Sequence, residues 1–236
     1  FTVEKGQIYG FVGPNGAGKS TTMNIITGYL AASSGNVKIN GYDILKQPEE
    51  AKRCIGYLPE LPPLYQDMTV IEYLKFVAEL KKVKKEERKQ QINEVMEETH
   101  ITDMQYRLIK NLSKGYKQRV GLAQAMIGYP DIIILDEPTV GLDPKQIIEI
   151  RDLIRSLKEK HTIILSSHIL SEVSAICDHI LIISKGKLIA SDSSEGLSRL
   201  MTGEDGIELE VKGQKEDLDA ILSSIEQISS FQTEKH

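Results

Sequence analysis

The sequence predicts an α/β fold built on a mostly parallel sheet, with an inserted helical lobe and a small C-terminal appendage. Three observations carry that expectation. A short apolar strand, Ile8–Val12, runs into a glycine-rich turn and then into a helical pattern. Later apolar runs at 132–135, 162–166 and 180–183 alternate with helical stretches, the pattern of parallel strands joined by crossover helices. Between these two parts, 69–107 has helical periodicity, high charge and no glycine.

In chain order, the first strand is followed by a helix over 20–29. A short strand over 37–39 comes next, with Gly35 and Gly41 as turn signals on either side. A proline-rich stretch at 59–63 leads into the helical lobe, about 62–128. Thr69 and Glu72 have capping-box spacing at its first helix, and Ser113 stands where a further helix, running to Gly128, begins. The strand Ile132–Leu135 precedes a helix over 144–158, which Asp143 caps and Pro144 opens. Strand 162–166, helix 170–176 and strand 180–183 complete a first domain over 1–202. A strand pattern at 207–211 and an amphipathic helix at 217–225 suggest a small α/β appendage over 203–236. Residues 1–8 read as the end of a strand, so further strands of the first sheet are expected upstream of Phe1.

With 236 residues, 40% hydrophobic and 27% charged, the chain can bury one sizeable core with a smaller lobe attached. The net charge of −5 argues against a strong hold on nucleic acid or on an anionic lipid surface. The basic run Lys81, Lys82, Lys84, Lys85, Arg88 and Lys89 is interleaved with acidic residues from Glu86 onward and reads as a solvated helix face. Cys54 and Cys177 have neither disulfide-framework nor zinc spacing and read as small core residues of a protein in a reducing compartment. The apolar runs fall far short of the ~20 residues that cross a bilayer, so no direct membrane insertion is expected.

Gly13-Pro14-Asn15-Gly16-Ala17-Gly18-Lys19-Ser20 matches the G-x-x-x-x-G-K-[ST] phosphate loop, which leads to the expectation of a P-loop NTPase core. Glycines let successive backbone N–H groups curl around phosphate oxygens while a helix N-terminus adds a favourable dipole. Lys19 would reach the β and γ phosphates of ATP, Ser20 would offer its hydroxyl to Mg²⁺, and Thr21 extends the nucleotide-binding set. Asp136 and Glu137 end an apolar strand, where the tip of a parallel sheet delivers carboxylates to the loop. Asp136 can hold Mg²⁺ through water, and Glu137 can orient the attacking water or take its proton.

With these residues in place, the chain resembles the nucleotide-binding domain of the ABC transporter family over roughly residues 1–200. Tyr57-Leu58-Pro59-Glu60 resembles the family's Q-loop and Leu112-Ser113-Lys114-Gly115-Tyr116-Lys117-Gln118-Arg119 its signature motif. Pro138-Thr139-Val140-Gly141-Leu142-Asp143 resembles its D-loop, and Ser167-His168 its switch histidine. The resemblance implies an ATPase with Lys19, Glu137 and His168 as catalytic residues, and Ser20, Asp136 and Glu60 around Mg²⁺. It implies a homodimer or a paired ATPase subunit, in which Ser113 and Gly115 of one chain close over the phosphate loop of the other. It further implies an integral membrane permease subunit as partner and a cytoplasmic, peripheral location. The tyrosine-leucine-proline-glutamate loop and the signature are similar to those serving bacterial exporters.

Two departures from the family pattern stand out. Glu60 occupies the usual glutamine position, bringing negative charge and no N–H donor. Lys114 and Tyr116 replace a glycine and a glutamine of the signature, while Ser113 and Gly115 are kept. The family also places an adenine-stacking aromatic ring upstream of Phe1. Besides the transport ATPase, a soluble ABC ATPase of DNA repair or translation and a degenerate member that clamps ATP without turnover stay open at this point.

Overall fold

The computed structural model describes residues 1–197 together with 218, 221 and 222. The chain divides into two units, Phe1–Ser198 and Arg199–His236. The strand expected at 207–211 lies outside the described residues, and of the helix expected at 217–225 only Leu218, Ile221 and Leu222 are described, all helical.

The first unit is organised around a six-stranded sheet. Its centre is β1 (Ile8–Val12), flanked in parallel by β6 (Thr162–Ser167) and β7 (His179–Ser184). Beyond β6 lie β5 (Ile132–Leu135) and then β4 (Ile55–Leu58), both parallel, and β8 (Lys187–Asp192) closes the other edge antiparallel to β7. The central strands are nearly continuous apolar runs because helices cover both faces. Their side chains still alternate with a period of two. Ile8, Val12, Leu135, Ile163 and Leu165 belong to one apolar cluster, and Tyr9, Phe11, Ile134 and Ile164 to a second.

Parallel pairing sends the chain out of β1, β5 and β6 at the same sheet edge. Val12 pairs with Ser167, and Leu135 with Leu165, so the loops beginning at Gly13, Asp136 and His168 emerge side by side.

Several local signals produce the expected elements. Thr69 and Glu72 form a reciprocal capping box at α3 (Val70–Leu80). The Ser113 hydroxyl accepts from Tyr116 N at the start of α5 (Lys114–Met126), and Asp143 accepts from Gln146 N at α6 (Pro144–Leu157). Between α3 and α5 lies α4 (Lys85–Glu98). Several helices end earlier than expected: α1 (Lys19–Ile26) stops before Gly28, α5 at Met126, α6 one residue short at Leu157, and α7 (Leu170–Ser174) before Cys177. Helix α2 (Pro48–Arg53) and strands β4 and β8 were not anticipated. The short strands β2 (Lys38–Ile39) and β3 (Tyr42–Asp43) form a hairpin whose turn, Asn40-Gly41, has the doubly positive φ angles that an Asn-Gly pair favours.

Two readings of single residues change. Lys81 is not merely part of a solvated face. Its Nζ donates to the carbonyls of Gln124, Ala125 and Ile127, at 3.0, 3.0 and 2.7 Å, and so caps the C-terminal end of α5. Burial pushes this ammonium's pKa down to about 8. Cys177 is a core residue whose thiol pKa burial raises, whereas Cys54 is only half-buried.

Candidate functional site

The loop between β1 and α1 is shaped by its glycines. A Cβ on Gly13 would stand 2.2 Å from the Ile183 carbonyl oxygen, so only glycine lets the loop leave the sheet at this point. Gly18 adopts a φ of 106° at the N-cap of α1, where no side chain caps the helix. The first N–H groups of α1 therefore keep donors available for an anion. Ala17 N donates to Pro14 O at 3.1 Å, and Gly186 N donates to Ala17 O at 2.8 Å, tying the loop to the turn between β7 and β8.

Lys19 is 6% exposed and folds back along this loop. Its Nζ donates to Gly13 O at 2.7 Å and lies 3.4 Å from Glu137 Oε1. The ammonium is thus held between a loop carbonyl and the Glu137 carboxylate.

The carboxylates come from the end of β5. Asp136 N donates to Leu58 O at 2.8 Å, extending the β4 pairing one residue past the strand. Asp136 Oδ1 accepts from Ser20 Oγ at 3.3 Å and from Ser166 Oγ at 2.5 Å. Its charge adds to the effect of burial in raising the Tyr57 pKa to about 12. Glu137 follows with a φ of 47°, the left-handed region that a non-glycine residue rarely occupies. Its N–H donates to Ser166 Oγ at 2.9 Å, and its Oε2 lies 2.9 Å from His168 Nδ1. The following loop is tied to α7 by a 2.7 Å hydrogen bond from Thr139 Oγ1 to Glu172 Oε2.

These groups surround a cleft of about 400 Å³ lined by Asn15, Gly16, Gly18, Lys19, Ser20, Thr21, Glu60, Glu137, Val140 and His168. Gly13 and Ala17 are buried in the loop's base, Pro14 is exposed, and Asp136, 4% exposed, sits behind Ser20. Ser113 and Gly115 do not line the cleft. They stand at the start of α5, where Gly115 packs against the side chain of Gln146 and the Lys114 ammonium reaches Gly141. Sequence reasoning gave Ser166 no role, and named Thr139 and Val140 only as members of the stretch that resembles the D-loop. The signal available for Ser166 was a serine inside an otherwise apolar strand, directly before the Ser167-His168 pair.

Chemically, the cleft pairs an anion-binding loop and a lysine with hard oxygen donors from Ser20, Glu60 and Asp136. Among the described residues, no group of three or more His, Cys, Asp or Glu side chains could hold a metal ion, and no helix is long and apolar enough to cross a membrane.

Comparison with known proteins matches this geometry. The family model described as ABC transporter matches residues 1–140. The linearmycin resistance ATP-binding protein LnrL of Bacillus subtilis is 37% identical over 92% of this chain and 70% of its own length. The bacitracin transport ATP-binding protein BcrA of Bacillus licheniformis is 44% identical over 79% of this chain and 61% of its own. The chain spans about three fifths of the length of relatives such as BcrA. A solved ATP-binding subunit of an ABC transporter superposes with a TM-score of 0.77 at 31% identity, covering 94% of this chain and 90% of that one. A phosphate loop, Glu137 at a strand tip and His168 just past the end of the next strand line one cleft. The chain belongs to the ABC transporter family.

Proposed function

We propose that the cleft binds ATP with Mg²⁺ and hydrolyses it, and that this drives solute transport through a separate integral membrane permease subunit. The observation that carries the proposal is the convergence of Lys19, Glu137 and His168 on one cleft, with Glu137 2.9 Å from His168 Nδ1 and 3.4 Å from Lys19 Nζ.

The oxygens of Ser20 and Asp136, 3.3 Å apart, fit a hard cation that completes its shell with water and phosphate oxygens, and Glu60 offers a further carboxylate from across the cleft. Mg²⁺ held there would supply neutralisation of the charge on the phosphate oxygens. The N–H groups of the loop and of the first turn of α1 cradle the phosphates, and Lys19 exchanges its loop carbonyl for them. Glu137, held by its αL backbone at the cleft wall, orients the attacking water and takes its proton. His168 fixes Oε2 of that carboxylate, and Oε1, paired with Lys19 Nζ at 3.4 Å, turns to the water as Lys19 moves to the phosphates.

Ser113 and Gly115 lie outside their own chain's cleft, which supports a site completed by a second chain in head-to-tail pairing. For the permease, the segment 60–64 supplies a contact surface. Leu61 is 81% exposed, and Tyr65, further along the same stretch and also exposed, meets Phe76 edge to face. Glu60 in the cleft and Leu61 on the surface are neighbours, so nucleotide state and the permease contact share one loop. The names of BcrA and LnrL concern bacitracin transport and linearmycin resistance. They support an exporter working at the cytoplasmic face of the membrane.

A second reading, an ATP clamp without turnover, is favoured by two departures, the extra negative charge that Glu60 brings to the cleft and the altered signature at Lys114 and Tyr116. Steady-state phosphate release by the whole protein, with Glu137→Gln as control, separates the two. Release above the control supports the ATPase. ATP-dependent thermal stabilisation without release supports the clamp, and neither result is compatible with a nucleotide site that fails to bind.

A further inference from the structure

Strand β6 begins as an apolar run and ends in Ser166-Ser167, although all of it is buried. Ser166 has no exposure at all. The register that pairs Leu135 with Leu165 sets it beside the first residue past β5, Asp136. Its hydroxyl accepts from Glu137 N at 2.9 Å and makes a 2.5 Å contact with Asp136 Oδ1. An amide can only donate, and a hydroxyl has a single proton, so the direction of both bonds is forced. Glu137 N donates to Ser166 Oγ, and Ser166 Oγ donates to the Asp136 carboxylate.

This one oxygen therefore sits between the two carboxyl residues. On one side it holds the backbone of Glu137, whose φ of 47° is otherwise secured by the bond from Val140 N to Glu137 O at 3.2 Å. On the other it fixes the Asp136 oxygen that also accepts from Ser20. We propose that Ser166 is a positioning residue for the ATP hydrolysis argued above. It sets the backbone from which Glu137 reaches the cleft and the face that Asp136 turns toward Ser20. The inference rests on that reading of the site, and goes beyond it by assigning a role to a side chain that does not line the cleft.

An alanine at this position would leave the Glu137 amide without its partner in a buried place, whereas threonine keeps a hydroxyl and suits a strand. The test uses the whole protein with ATP and Mg²⁺, comparing the parent with Ser166→Ala and Ser166→Thr. The expected result for Ser166→Ala is a fall in kcat of about tenfold or more, with KM changed by less than about threefold, because the geometry of reaction is lost and phosphate binding is kept. A second measurement needs no nucleotide: hydrogen exchange at the Glu137 amide, which should be faster in Ser166→Ala and return toward the parent rate in Ser166→Thr. Parent-like kcat in Ser166→Ala, or unchanged exchange at Glu137, would overturn the proposal. So would a fall in kcat that tracks a loss of Tm and is not restored by threonine, since that marks a merely structural serine. Phosphate release by the parent that Glu137→Gln abolishes verifies the underlying ATPase reading separately. If the parent shows no release, that reading fails, and the exchange rates still decide whether Ser166 holds Glu137.

Discussion

Lys19 Nζ and Glu137 Oε1 stand 3.4 Å apart with both side chains less than a tenth exposed. The cation and the carboxylate proposed to act on the same phosphoryl group are thus paired with each other. A buried pair of this kind is stable only while both partners remain, because a lone charge there has lost its hydration.

Lys19→Ala should accordingly abolish ATP turnover. It removes the charge that faces the β and γ phosphates, a kind of contact whose loss reduces rates by about 10²–10³ in comparable sites. Phosphate release from purified protein is the measurement. Turnover within about twofold of the parent would exclude the assigned role, since an electrostatic contact to the reacting group is worth more than that.

His168→Ala separates chemistry from binding. The histidine orients Glu137 through the 2.9 Å contact and contributes no backbone to the phosphate loop. The expected outcome is a large loss of kcat with ATP affinity near that of the parent, measured by a fluorescent nucleotide. A parallel loss of both would make His168 a structural residue.

Much of this site was legible in the sequence because its parts are local. The phosphate loop, the Asp136-Glu137 strand end, the Thr69–Glu72 capping box and the Ser113 cap each occupy a few consecutive residues, and the structure places them as expected. What was not legible depends on register between distant strands. Ser166 acquires its partners only because β5 and β6 pair with Leu135 opposite Leu165. Strand β4 was hidden by its length and by Gly56, whose missing side chain admits the Ala125 carbonyl: a Cβ there would lie 2.2 Å away. The edge strand β8 has exposed Leu188 and Ile189 and no buried face to give it a clean alternation.

Asp178 links the start of β1 to the end of α6. Its Oδ2 accepts from Ile8 N at 2.8 Å and its Oδ1 from Lys158 Nζ at 2.6 Å. Burial acts to raise its pKa, but the Lys158 and Ile8 bonds together outweigh it, and the net shift is downward from 3.8. A depressed carboxylate stabilises the fold above its unfolded pKa and loses that contribution as pH falls through the folded value. Asp178→Ala should therefore cost about 1 kcal/mol at pH 7, the loss of a charged hydrogen bond reduced by solvent screening of a pair more than a third exposed. The difference should shrink as pH falls below about 4, where the unfolded chain begins to take up the proton, and vanish below the still lower folded value. Urea unfolding of both proteins at the two pH values checks it. A gap that widens on acidification would contradict the sign.

Leu61, Pro62 and Pro63 follow Glu60 on the same loop, and Leu61 stands far out of the surface. If this loop carries the nucleotide state to the permease, a photoreactive group at Pro63 should crosslink to the membrane subunit. Yields should differ between ATP-bound and nucleotide-free states. Crosslinks confined to residues 199–236 would move the contact to the second unit.

The pairing of two chains gives the most discriminating experiment, because one substitution must act on another molecule's cleft. Glu137→Gln removes the base but keeps the size of the side chain, so bound ATP should persist and hold two chains together. Ser113 is exposed, caps α5 through Tyr116 N and lines no part of its own cleft. An arginine there would fill the place where the partner's γ-phosphate docks while leaving the same chain's phosphate loop intact. The expected result is an ATP-dependent dimer for Glu137→Gln and a monomer for the double variant Glu137→Gln with Ser113→Arg. ATP should still stabilise both proteins thermally. Size-exclusion chromatography with light scattering, with and without ATP and Mg²⁺, gives the answer. A Glu137→Gln protein that stays monomeric at millimolar ATP, or a double variant that dimerises as well as the single one, would rule out head-to-tail closure over the cleft.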